Sequence, residues 1–184
     1  MNIEAAFHFF NSSSLITYIV LAWLSFYFII SFAILFARST YLAAWRLREK
    51  QSLESLLLGQ KDISKTRSIL RKSTDSNPLH LEIYKNLAQR RATGGLTWLS
   101  IIASTSPFIG LFGTVISILE TFGGLGTQNS LSIIAPKISE ALVATGCGIL
   151  VAIPAYTFHL IIKRKAYELI SVIDSEIKVI SSKA

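Results

Sequence analysis

Three long uncharged runs constrain this chain more than any other feature of its sequence. From Ala5 to Ala37 there is no Asp, Glu, Lys or Arg, and the stretch LITYIVLAWLSFYFIISFAILFA at 15–37 supplies 23 predominantly apolar residues. That is enough helix to cross about 30 Å of hydrocarbon. A second run, 92–119, contains GGLTWLSIIASTSPFIGLFGTVISIL with Pro107 near its middle and Glu120 just beyond it. A proline inside a membrane helix is tolerated where neighbours satisfy the freed backbone groups. The third, ALVATGCGILVAIPAYTFHLII at 141–162, follows IAPKISE, so a helix begun near Ile133 carries Lys137 and Glu140 toward the membrane. The expected fold class is all-α, an integral membrane protein of three transmembrane helices extended into the cytoplasm. Only 16% of the residues are charged, against about 25% in soluble domains. The first fourteen residues carry Glu4 and no Lys or Arg, unlike the basic start of a cleaved signal peptide, so the first span is expected to be retained.

Basic residues set the expected orientation, because short loops rich in Lys and Arg stay on the cytoplasmic side. Twelve of the 18 Lys and Arg residues lie between the first two spans and five follow the third, Lys163, Arg164, Lys165, Lys178 and Lys183. The amino terminus is therefore expected outside and the carboxyl terminus inside. The segments read as a periplasmic start (1–14), a span (15–37), a cytoplasmic helical region (38–94), a span (95–121), a periplasmic loop (122–132), a span (133–162) and a cytoplasmic helical tail (163–184). Topology thus accounts for the net charge of +7, and no nucleic-acid partner is expected.

The cytoplasmic segments show helical periodicity. At 41–58 Leu42, Trp45, Leu53, Leu56 and Leu57 recur among charged residues, with Gly59 as a stop; a second short helix is expected at 63–71, and KSTDSNP at 72–78 as a breaker with a turn at Asn77-Pro78. From Leu79 onward Leu81, Tyr84, Leu87 and Ala88 restore helical spacing, and Gly94-Gly95 reads as a bend. In the tail Tyr167, Ile170, Ile173, Ile177 and Ile180 form a stripe. A loop of this length is too short for a substantial core of its own, so these segments are expected to extend the membrane helices.

Nothing in the chain suggests catalysis. Gly123, Gly124 and Gly126 follow no strand and precede no Gly-Lys-Ser/Thr, so a turn is the better reading; His8, His80 and His159 are scattered, which leaves no metal site; no cofactor is implied. Cys147 lacks a cationic neighbour to activate it and reads as a small packing residue. The informative patterns are two small, weakly polar faces at helical steps, Ala103, Pro107, Gly110, Thr114, Ser117 and Thr121 on one span and Ala141, Thr145, Gly148, Ala152 and Ala155 on another. Such faces either pack helices closely or line a narrow polar path. Glu140 is costly in a membrane helix unless it is paired, neutral or facing water. Lys137 at i−3 is one partner; a water-accessible cavity shared with other subunits is the alternative. Glu120 reads as reaching headgroup water.

These residues also carry a resemblance. PFIGLFGTV at 107–115, and IAPKISEALVAT at 134–145 followed by GCG and then VAIPA at 151–155, resemble the second and third membrane helices of the MotA/TolQ/ExbB proton-channel family, most closely its ExbB and TolQ branches. The likeness is motif-specific over about 104–156 and architectural elsewhere. Lys137 stands where the family has a small Gly, Gly146-Cys147 stand for Ala-Ile, and the cytoplasmic loop is short. The resemblance implies a homo-oligomer, a pentamer, around single-span ExbD-like partners, with protons driving motion relayed to a TonB-like protein that energises outer-membrane uptake. It places Glu140, Thr145 and Thr114 on the proton pathway, beside the small face of Gly110, Ser117, Ala141, Gly148 and Ala152. The alternatives are a TolQ-like subunit serving envelope integrity and a non-conducting scaffold in which Lys137 neutralises Glu140.

Overall fold

The computed structural model describes residues 15–58, 69–72, 78–123 and 131–183, and its regular structure is helical throughout. Helix α1 is Leu15–Leu57, a single 3₁₀ turn covers Ile69–Lys72, and α2, α3 and α4 are Pro78–Ala92, Leu96–Gly123 and Leu131–Lys183. Three helical stretches, Leu15–Leu57, Leu79–Gly123 and Ile134–Ser182, are long and apolar enough to cross a membrane. At 43 and 53 residues, α1 and α4 run for about 65 and 80 Å at 1.5 Å per residue, more than twice the hydrocarbon thickness. The expected helix at 63–71 lies outside the described residues except for the turn at its end. Gly59, Asn77 of the Asn77-Pro78 step, Gly124 and Gly126 lie outside them as well.

The chain forms two compact units. One comprises described residues within 15–33 and 98–157. Its buried cluster is Val20, Leu24, Ile102, Ala144, Val151 and Ala155, with Tyr27, Phe28, Ile109 and Cys147 packed against it. Large apolar side chains point outward, including Ile19, Trp23, Phe26 and Ile29 on α1, Phe108, Leu111 and Phe112 on α3, and Leu150, Ile153 and Tyr156 on α4. Bulky apolar side chains on the outside as well as in the interior are expected where the surroundings are as apolar as the core, with small residues such as Ala144 and Ala155 where helices come closest.

The other unit comprises described residues within 34–97 and 158–183. Its interior is built from Leu42 and Leu56 of α1, Leu70 of the 3₁₀ turn, Leu81 and Ala88 of α2, and Ile162, Ala166, Leu169, Ile173 and Ile180 of α4. Here the stripes differ from expectation by about one position. Leu57, Leu87 and Tyr167 face outward, whereas Glu49, Ser52 and Glu176 are buried. Each helix is packed from more than one side, so its inward arc is set by the neighbours as well as by its own apolar period.

The corner between α2 and α3 shows how the connection is held. Gly95 has φ +83°, the left-handed region that L side chains rarely adopt. The Arg38 guanidinium donates from Nη2 to the carbonyls of Arg91 (2.6 Å) and Ala92 (2.9 Å). A cation therefore meets two of the orphan carbonyls at the carboxyl end of α2, where the helix dipole also favours it. His159 Nδ1 lies 3.1 Å from the Leu96 carbonyl.

Ion pairs tie α4 to its neighbours in this unit. Arg46 meets Glu168 at 2.6 Å, Lys85 pairs with Asp174, and Lys178 reaches the same carboxylate at 3.1 Å. The hydrogen bond from Lys85, reinforced by Lys178, holds the Asp174 carboxyl below its ordinary range. A depressed acid stabilises the fold above its unfolded pKa and ceases to do so as pH falls through the folded value. Asp174→Asn should accordingly lower the melting temperature near neutral pH, and the gap from the parent should begin to narrow as the pH falls below about 4. Thermal unfolding followed by circular dichroism from pH 7 to pH 3 measures this; a gap of constant size would show that the pairing with Lys85 and Lys178 does not stabilise the unit.

Candidate functional site

Helices α3 and α4 cross at glycine. A Cβ built on Gly110 would lie 2.6 Å from the Ala144 carbonyl oxygen and 3.0 Å from Thr145 Cα; one on Gly148 would lie 2.6 Å from the Ser106 carbonyl oxygen and 3.2 Å from Gly110 Cα. Backbone thus packs on backbone, which only residues without a side chain permit. Gly113 is also tight, at 3.0 Å from Val20 Cγ1 and 3.2 Å from Ala144 Cβ. Ser106, one turn before the crossing, donates its hydroxyl to the Ile102 carbonyl at 2.5 Å.

This approach brings Thr114 and Thr145 together, with their hydroxyl oxygens 2.5 Å apart. Thr114 also lies 3.2 Å from the Gly110 carbonyl and 3.1 Å from the Ala141 carbonyl. Each hydroxyl has one proton to give and two lone pairs to accept with. Thr145 can donate to Thr114 while Thr114 donates to a carbonyl of either helix. Thr114 is 7% exposed and Thr145 is half-buried, so the pair spans from the helix contact to the subunit surface.

One helical turn before Thr145, Ala141 is fully buried, and Glu140 follows on the adjoining arc of α4. Lys137 Nζ lies 3.2 Å from Glu140 Oε2, with the Lys side chain 40% and the Glu side chain 11% exposed. Glu140 Oε1 is buried and meets no hydrogen-bond donor. One oxygen of Glu140 thus meets a cation and the other is buried without a donor, and the carbonyl of the next residue, Ala141, is the one that Thr114 reaches from α3.

The remaining small residues fall into place around this crossing. Gly148 and Ala152 are buried on α4, as Gly110 is on α3. Ser117 turns toward α1, where its hydroxyl lies 3.1 Å from that of Thr17. Thr121 bonds back to the Ser117 carbonyl at 2.7 Å, and Glu120 is exposed. The structure thus brings together Gly110, Thr114, Ala141, Thr145 and Gly148, places Lys137 and Glu140 beside them, and directs Ser117 elsewhere. Thr17 was missed by sequence reasoning. Its one signal is a hydroxyl in the apolar run of the first span, which alone does not identify a partner a hundred positions away.

The sequence profile of the MotA/TolQ/ExbB proton channel family matches residues 48–175. The chain is 44% identical over 188 residues to the biopolymer transport protein ExbB-like 1 of Helicobacter pylori, covering 98% of this chain and 99% of that protein. Two further relatives match over shorter stretches. The biopolymer transport protein ExbB of Neisseria gonorrhoeae is 47% identical over 81 residues, 42% of this chain and 37% of its own. The Tol-Pal system protein TolQ of Pseudomonas aeruginosa is 46% identical over 69 residues, 36% of this chain and 30% of its own.

The crossing predicts a contrast between two glycines two positions apart. Gly148→Ala forces a methyl against the Ser106 carbonyl and should destabilise the helix pair by about 1–3 kcal/mol. Gly146, where an added Cβ meets nothing within 4 Å, should accept Ala with no loss. Melting temperatures of the two variants in detergent test this, and equal behaviour would rule out the close backbone approach.

Proposed function

The chain belongs to the MotA/TolQ/ExbB proton channel family, and from that membership we propose that it is an ExbB-like subunit of an inner-membrane motor. In this reading five copies surround the single membrane helix of ExbD-like partners, protons pass along the inner faces of α3 and α4, and the resulting motion reaches a TonB-like protein that energises outer-membrane transport. The amino terminus lies outside and the segments 38–94 and 163–184 lie in the cytoplasm, as the Lys and Arg distribution favours. The outward Phe, Ile, Leu and Trp side chains of the membrane unit supply faces for lipid and for neighbouring copies.

The observations that support this reading are the Thr114–Thr145 hydroxyl pair at the helix crossing and, five residues before Thr145 on α4, Glu140 with one oxygen on Lys137 and the other without a donor. A carboxylate with one oxygen lacking a donor and two hydroxyls that each donate and accept are the kinds of group a proton relay is built from. A purely structural crossing needs the glycines; it does not need an ionisable group beside them, which costs several kcal/mol in a membrane.

Two other readings each have an observation in their favour. The likeness to TolQ supports the same channel coupled to the envelope-integrity system. The Lys137–Glu140 contact supports a non-conducting scaffold in which the pair is structural.

Single and double substitutions separate motor from scaffold. Glu140→Ala should abolish proton-driven work while the complex still assembles. If the pair is structural, removing one partner strands a charge at a cost of about 3–5 kcal/mol, and assembly falls. Amounts of assembled complex and energy-dependent uptake are the readouts, in Glu140→Ala, Lys137→Ala and the double variant. Assembly lost in Glu140→Ala and restored in the double variant, with full uptake, would contradict the relay role of Glu140.

A further inference from the structure

Two prolines interrupt the hydrogen-bond ladders of the membrane unit at one level. Pro107 lies inside α3 and Pro154 inside α4. A proline has no N–H to give. The Ala103 carbonyl, four residues before Pro107, and the Leu150 carbonyl, four before Pro154, therefore lose their helical donors. The contacts at the crossing give the register. Ser106 meets Gly148 and Gly110 meets Ala144, while Thr114 bonds to Ala141, so residue numbers fall along α4 as they rise along α3. Continued past the crossing in the same steps, this register sets Ala103 level with Val151 and Ser104 level with Leu150. The two interruptions thus lie about 1.5 Å apart along the helix axes, one residue's rise.

Hydroxyls load the same turns. Thr105 Oγ1 donates to the Ile101 carbonyl at 2.8 Å and Ser106 Oγ to the Ile102 carbonyl at 2.5 Å. On α3 the consecutive carbonyls of Ile101, Ile102 and Ala103 therefore either carry a side-chain donor or lack their N–H. On α4 Thr157 Oγ1 donates to the Ile153 carbonyl at 2.9 Å. Back-bonding of this kind competes with the ladder and bends helices, and interrupted ladders are where helices kink. The stretch on the other side of the crossing differs. From Gly110 to Gly123 α3 has no proline, and Thr114 ties it to the Ala141 carbonyl and the Thr145 hydroxyl. Pro136, near the start of α4, has no counterpart on α3. One end of the helix pair is pinned, and the other is loosened at the same level in both helices.

The coincidence of level has a mechanical consequence. Interruptions at different levels would let each helix bend only against a straight neighbour, whereas interruptions at one level let both bend without sliding past each other. Ile102, Val151 and Ala155, around this level, belong to one buried cluster, so the two ends are packed to move together. Helix α1 has no proline in its length, and its Val20 and Leu24 join the same cluster as the straight wall against which they swing. We propose that Pro107 and Pro154 form a paired hinge, about which the 98–103 end of α3 and the 151–157 end of α4 swing together while the Gly110–Gly148 crossing stays fixed. The hinge deepens the channel reading given above by locating the movement that proton passage at Thr114 and Thr145 sets off. It rests on that reading for this use, and on the register of the two helices for its geometry.

Spin-label distances test it. Full-length chains carrying Cys147→Ser are assembled with excess unlabelled chain in lipid nanodiscs, so that each complex holds a single labelled copy, and frozen samples report the populated positions as a distance distribution. Labels at Trp98→Cys and Tyr156→Cys, exposed sites on the swinging ends, report the hinge; labels at Leu119→Cys and Leu142→Cys, exposed beyond the crossing, are the reference. The first distribution should be broader than the second. Pro107→Ala combined with Pro154→Ala restores both N–H groups and should remove the excess width while leaving the reference pair unchanged. Thr105→Val combined with Thr157→Val keeps the prolines, removes two back-bonds and should narrow the first pair in part, which keeps the test decisive if the proline variant does not assemble. Equal widths in the parent, or a first pair that neither double variant narrows, would overturn the hinge whatever the proton flux. Full proton-driven uptake by the narrowed proline variant would overturn its use in the motion. A parent complex without proton flux would contradict the channel reading instead, and the label widths would still decide the hinge.

Discussion

The contact on which the membrane unit depends is the backbone approach of α3 and α4 at Gly110 and Gly148. Lipid offers no hydrophobic drive for helices to associate, so their attraction comes from dispersion over a close interface and from whatever polar groups that interface brings together. Without side chains at these two positions, the Ser106 and Ala144 carbonyls lie within reach of the opposite helix. The same closeness lets Thr114 of α3 bond to the Ala141 carbonyl and the Thr145 hydroxyl of α4. Packing and polar contacts are therefore one feature. A larger residue at either glycine would separate the hydroxyls while it loosened the helices.

This coupling explains why small residues and hydroxyls share both faces. A hydroxyl in hydrocarbon needs a partner, and on one helix it finds the carbonyl one turn back. Thr105 and Thr157 do this, bonding to the Ile101 and Ile153 carbonyls. Thr114 goes further, since its oxygen has partners on both helices. Glu140, five residues before Thr145 on α4, has Lys137 on one oxygen and no donor on the other. A fully neutralised carboxylate would be inert; an unpaired one would be too costly to bury.

The three spans were legible from the sequence because a charge-free run of this length has few soluble solutions, and the glycine face because its three- and four-residue steps survive any helical register. The Lys137–Glu140 contact follows from i,i+3 spacing on one helix. What the sequence hid depends on distant segments. Glu49 reads as part of a charged surface, yet Trp45 one turn before it and the Ile69 N–H twenty positions later bury it. The Trp45–Glu49 spacing was the available signal, and only a packed neighbour makes it meaningful. Arg38 likewise reads as a topogenic charge, although its guanidinium caps the end of α2. Leu57, Leu87 and Tyr167 were misassigned to inner stripes for the same reason.

The most direct test of the Thr114–Thr145 path is proton flux through the assembled complex in proteoliposomes, followed with an internal pH-sensitive dye under an imposed potential. Thr145→Val removes one hydroxyl at nearly constant shape, and Thr114 keeps its bonds to the Gly110 and Ala141 carbonyls, so the crossing should survive. Flux is predicted to fall at least roughly tenfold, equivalent to about 1.4 kcal/mol in the barrier, with Thr145→Ser retaining most of it and the amount of assembled complex unchanged. Parent-like flux through Thr145→Val would contradict the assignment of these hydroxyls to the proton path.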